Sequence, residues 1–74
     1  MATVRQLETK DLARVQPQGD VAATVSLVEL DGEKFLQIDT YGSPDRVLVG
    51  KTSQSLRLSK AAFEQLSKLA GKHF

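Results

Sequence analysis

A chain of 74 residues has room for one folding unit, and at this length folding hides only about 60% of the surface the unfolded chain exposes. The absence of cysteine removes disulfides and thiolate metal sites as supports for so small a core, which leaves subunit association as the expected one. The net charge of +1 conceals an uneven spread: four basic residues face seven acidic ones up to Gly42, and six face two from Ser43 onward. A local basic surface can draw in an anionic partner, or it can simply be solvated. No apolar run approaches the roughly 20 residues of a membrane span, and the first residues lack a signal-peptide pattern, so an intracellular, cytoplasmic protein is expected.

The chain reads as a single domain over 1–74. Between residues 3 and 15, Val4, Leu7, Leu12 and Val15 fit a helical stripe imperfectly, while Thr3, Val4 and Val15 suit a strand; the segment is taken as extended. Gln16-Pro17-Gln18-Gly19-Asp20 ends it, because proline removes a donor and glycine frees the backbone. From Val21 to Leu30, Val25 and Leu27 alternate with Thr24 and Ser26, as a half-buried strand requires. Asp31-Gly32 follows, the strongest short-range hairpin signal in the chain, and a second arm spans 33–41.

That arm places Leu36, Ile38 and Thr40 on a core face and Phe35, Gln37, Asp39 and Tyr41 on a polar face that carries two aromatic rings. Gly42-Ser43-Pro44-Asp45 reads as a turn and Arg46 to Lys51 as a loop or short irregular strand. Alternation resumes over 53–58, with Gln54, Leu56 and Leu58 on one side and Ser53, Ser55 and Arg57 on the other. Ser59 is placed to cap a helix over about 60–70, whose Ala62, Phe63, Leu66, Leu69 and Ala70 recur at helical spacing. Gly71 is the expected left-handed C-terminal cap, with Lys68 and Lys72 near the negative end of the dipole. The expected fold class is α+β, a small antiparallel sheet of about four strands followed by one C-terminal helix.

Catalytic chemistry finds little footing. Gly50-Lys51-Thr52 resembles the end of a phosphate-binding loop, but position 45 is Asp where that loop needs glycine, and the residues that follow read as a strand. His73, the sole histidine, stands next to the last residue of the sequence, where chains fray, and no cysteine or placed histidine activates the serines. Asp31, Glu33, Asp39 and Asp45 flank turns, where carboxylates serve structure more often than catalysis or metal binding. No enzyme activity, metal or cofactor is expected.

What remains is a cluster of Lys34, Phe35, Gln37 and Tyr41 on one sheet face, with Arg46, Lys51 and Arg57 in or beside the same elements. Single-stranded nucleic acid is held by such mixtures, since rings stack on bases and cations track phosphates. Equally, Phe35 and Tyr41 can complete a small second core.

The segment from Leu36 to Leu66 resembles the bacterial and phage relatives of the transcriptional positive-cofactor-four family, small single-stranded DNA-binding proteins. The resemblance rests on Ile38-Asp39-Thr40-Tyr41, the Ser43-Pro44-Asp45 turn, Gly50-Lys51, the junction Leu56-Arg57-Leu58-Ser59 and the helix signature Phe63-Glu64-Gln65-Leu66. It implies a curved four-stranded antiparallel sheet, a homodimer paired through the helix at Phe63, Leu66 and Leu69, and a groove for single-stranded DNA. Mapped residue by residue, it makes Tyr41 the strand aromatic, Lys51 the loop cation, and Lys60 or Arg57 the basic residue before the helix. A role in transcription, replication or repair follows, with single-stranded DNA or RNA as partner. The rival expectation is a protein-interaction module, an adaptor or inhibitor, using the sheet face or an exposed strand edge.

Overall fold

The computed structural model describes residues 1–42 and 52–74. Along the chain come β1 (Ala2–Val4), β2 (Ala23–Leu30), β3 (Glu33–Tyr41), β4 (Thr52–Ser59) and the helix α1 (Lys60–His73). The fold is α+β, a four-stranded sheet followed by one C-terminal helix, with strand order β1-β4-β3-β2. The expected turn beyond Gly42 and the loop from Arg46 to Lys51 lie outside the described residues.

The β2–β3 hairpin is where local chemistry decides most. Leu30 pairs with Glu33, and the two residues between them both take positive φ, Asp31 at 53° and Gly32 at 79°. That is the type I′ turn, whose twist matches the strands it joins and which a glycine at the second position accepts without strain. β4 then pairs antiparallel with β3 on its other side, from Phe35↔Ser59 to Tyr41↔Thr52, with a register shift at Thr40/Tyr41.

The sheet departs from the antiparallel expectation at β1. Ala2, Thr3 and Val4 run parallel to Leu56, Arg57 and Leu58, which makes the sheet mixed. The extended segment expected over 3–15 also shrinks to Ala2–Val4, and no regular element follows until Ala23. One helical side chain competes for this backbone: Gln65 accepts the Leu7 N–H at 2.8 Å and donates to the Leu7 carbonyl at 3.3 Å. Thus part of the backbone that would extend the ladder is satisfied by α1 instead.

Ser59 caps α1 as its hydroxyl suggests, with the Ala62 N–H donating to Oγ at 3.2 Å. The far end differs from expectation. Gly71 lies inside the helix, which continues to His73, and the Phe74 N–H closes on the Ala70 carbonyl at 2.9 Å. Lys72 in the last turn suits the helix dipole and partly offsets the roughly 1 kcal/mol disadvantage of an internal glycine.

Register sorts the side chains into two faces. Val25, Ile38 and Leu56 form one apolar row and Leu27, Leu36 and Leu58 the next, with Ala2 and Val4 at their β1 ends. The opposite face carries Thr24, Ser26, Gln37, Asp39, Ser55 and Arg57. Among the described residues only Phe35, Leu58 and Ala62 are buried apolar side chains. Leu36, Ile38 and Thr40, expected as core, are half-buried, because α1 covers only part of their face. Phe63 meets Leu27, Leu36 and Leu58 around an open cleft there. Among the described residues no helix is long and apolar enough to cross a membrane.

Candidate nucleic-acid interface

The polar face is built on the register of the three longer strands. Ser26, Gln37, Arg57 and Thr3 form its central row, with Thr24, Asp39 and Ser55 on one side and Val28, Phe35 and Ser59 on the other. Gln37 links the charged groups. Its carbonyl oxygen accepts from Arg57 Nη2 at 2.7 Å and Nε at 3.3 Å, while its amide donates to both Asp39 oxygens at 3.2 Å. The Ser55 hydroxyl also donates to Asp39. The carboxylate is therefore hydrogen-bonded within the sheet and kept one residue away from the guanidinium.

Phe35 is 8% exposed. The guanidinium carbons of Arg5 and Arg57 lie 5.5 and 5.7 Å from its ring centre, within the range of cation–π attraction. The ring thus anchors two cations at the surface and offers almost no face to a base. Tyr41 is half-buried, its hydroxyl sharing a 3.2 Å hydrogen bond with that of Thr24.

Arg5 also closes a forked pair with Glu33, at 2.6 Å from Nη1 to Oε2 and 3.2 Å from Nη2 to Oε1. Its hydrogen bond, with a smaller Coulombic contribution, holds the Glu33 carboxyl below the usual carboxylate range and raises the Arg5 guanidinium in turn. Arg57 has no carboxylate partner among the described residues.

Of the residues singled out in the sequence, the structure puts Phe35, Gln37 and Arg57 in contact on one sheet face, with Tyr41 farther along the same strand, beside Thr24. Lys34 does not join them. Strand alternation turns it to the opposite face, where it pairs across the hairpin with Glu29, so its place in the cluster is corrected. Lys60 is exposed at the start of α1 beside the apolar cleft. Arg46 and Lys51 lie outside the described residues. Phe63, Leu66 and Leu69 are 44%, 42% and 43% exposed, so a single chain leaves much of that helix face open.

Arg5 escaped the sequence reading, because only the parallel pairing of β1 carries it over Phe35, and nothing local to residues 1–5 announces that pairing. Among the described residues no three His, Cys, Asp or Glu side chains come together as a metal site would require. Comparison of the chain with protein-family models, with curated proteins and with solved structures finds no match.

Proposed function

We propose that this chain is a non-enzymatic, homodimeric domain that binds single-stranded nucleic acid on its polar sheet face, with a part in transcription, replication or repair. The observation that carries the reading is Arg57, a guanidinium on a sheet surface whose described partners are a neutral amide and an aromatic ring. Such a group keeps its charge for a phosphate, and bidentate recognition by arginine suits one well. Arg5 lies on the same ring but is forked onto Glu33, which leaves Arg57 as the cation for the ligand, and Tyr41 supplies the surface on which a base stacks. The resemblance of Leu36 to Leu66 to small single-stranded DNA-binding proteins supports the same reading; it adds Lys51, and Lys60 as the alternative to Arg57 before the helix, while Arg46 comes from the basic cluster of the sequence, as further phosphate contacts.

The rival is a protein-interaction module, favoured by the incompletely covered apolar face around Leu27, Leu36 and Phe63. Fluorescence anisotropy of a labelled oligothymidine of about 20 nucleotides, at low and at physiological salt with duplex as control, separates the two. Phosphate contacts give a linear fall of log affinity with log salt, with a slope of roughly −0.7 per neutralised phosphate on a single strand. The expected result is salt-sensitive binding that prefers the single strand and weakens at least about tenfold in the Y41A/R57A double variant. Absence of binding at both salts, or unchanged affinity in that variant, overturns the assignment and makes the interaction module the leading reading.

A further inference from the structure

The two edges of the sheet are unlike. β1 is three residues long and is followed at once by Arg5, the short charged form that natural sheets use to discourage pairing. β2 has eight residues, Ala-Thr-Val-Ser-Leu-Val-Glu-Leu, with neither proline nor a basic residue, and its pairing to β3 has no bulge. Among the described residues nothing pairs with its outer side. Val25 and Leu27 on this edge are 64% and 83% exposed. Long, regular, weakly charged edges are the ones that other strands join.

The hairpin fixes which backbone groups that edge offers. A two-residue type I′ turn makes Leu30 and Glu33 a hydrogen-bonded pair, and alternation then makes Val28, Ser26 and Thr24 the β2 residues that bond to β3. The Tyr41 N–H donating to the Ala22 carbonyl at 3.0 Å continues that even-numbered series. The N–H and C=O groups of Ala23, Val25, Leu27 and Glu29 therefore face outward.

We infer that a second copy of this chain adds to the outer edge of β2, strand against strand in antiparallel register about a two-fold axis through Ser26. That register sets Val25 against Leu27 of the second copy and Ala23 against its Glu29, so every outward-facing backbone group of one β2 meets one of the other. The single charge of each strand lies opposite alanine, and the two Glu29 side chains stand about 20 Å apart along the strands at roughly 3.4 Å per residue. The two-fold axis is perpendicular to the sheet and keeps like faces together. The apolar row Leu58–Leu36–Leu27 then runs on into Val25–Ile38–Leu56 of the second copy. On the other side Arg57–Gln37–Ser26 meets its own image, which joins the two polar faces into one track with the Arg57 backbones about 24 Å apart, five strand spacings of roughly 4.8 Å. Only the use of that track by a polynucleotide rests on the proposed function; the pairing does not.

The chain has no cysteine of its own, so S26C introduces a lone thiol. In the inferred register Ser26 opposes itself at a non-hydrogen-bonded position, with Cα atoms about 4.5 Å apart, inside the disulfide range. Mild oxidation of S26C without nucleic acid is expected to give near-complete covalent dimer on a non-reducing gel. T24C, which faces Val28 of the second copy and stands about 14 Å from its own counterpart, stays monomeric on the gel. L66C serves as the probe for pairing through α1. A failure of S26C to cross-link, equal cross-linking of T24C, efficient linking through L66C in its place, or a monomeric wild-type chain by sedimentation at the same concentration each overturns the inference. Oligothymidine binding is measured separately on the wild-type chain, because Ser26 lies in the central row of the polar face, so absence of wild-type binding beside efficient S26C cross-linking counts against the function and not against the pairing.

Discussion

Gln37 shows how much of the polar face depends on one neutral side chain. Its amide stands between Arg57 and Asp39 and bonds to both, so guanidinium and carboxylate sit on neighbouring strands without forming an ion pair. A direct pair would hold the arginine's charge within the sheet; the intervening amide leaves it without a carboxylate partner among the described residues. Arg5 is arranged differently, forked onto Glu33 at the surface. A carboxyl whose folded pKa is depressed stabilises the fold fully above its ordinary value, 4.5 for Glu33, and loses that contribution as pH falls through the lower folded value. The E33Q variant is therefore expected to unfold at lower urea than wild type at neutral pH, with the gap closing in acid once Glu33 is protonated. Urea midpoints of both proteins across the acid range check this, and a gap that does not change with pH would show that the pair contributes nothing through its charge. Both side chains are well exposed, so the effect is small.

At the scale of elements, Ser59 joins the last position of β4 to the start of α1. Its hydroxyl caps the helix through the Ala62 N–H, and it lies near the Arg5 carbonyl, with Oγ at 3.4 Å. Replacing it with alanine is expected to destabilise the fold by about 1 kcal/mol, in the usual range for a lost cap. Chemical denaturation monitored by helix content gives the value, and an unchanged midpoint would mean that solvent replaces the cap freely. Ser59 was legible in the sequence because a capping hydroxyl followed by apolar residues at helical spacing is a local pattern. The hairpin was legible for the same reason: Asp31-Gly32 specifies its own turn whatever surrounds it. β1 was not, since three residues gain strand geometry only from β4, and Arg57 and Leu58 lie far along the chain. The same distance hid Arg5 from the candidate site, and Lys34 was misplaced because its basic charge outweighed the parity that sends it to the other face.

For the whole molecule the decisive quantity is how little is buried. Phe35, Leu58 and Ala62 are the buried apolar residues among those described, whereas Val25, Leu27, Phe63, Leu66 and Leu69 stay open to solvent. A core this small is marginal in an isolated chain. If folding is coupled to association, stability follows concentration by mass action, and a hundredfold rise in protein adds about 2.7 kcal/mol. Thermal midpoints at about 1 and 100 μM are expected to differ by several degrees. Coincident midpoints would mean that the monomer is stable by itself.

The parallel pairing of β1 has a kinetic consequence. The β2–β3 hairpin forms from neighbours and can assemble on the order of microseconds. The contact between Arg5 and Ser59, by contrast, joins residues 54 apart in sequence, and closing so long a loop before other contacts exist is entropically unfavourable. β1 therefore docks onto a sheet that the other three strands have already formed. Until it does, the outer side of β4 is a second open edge, and the growing fold passes through a stage at which it can recruit strands from both sides.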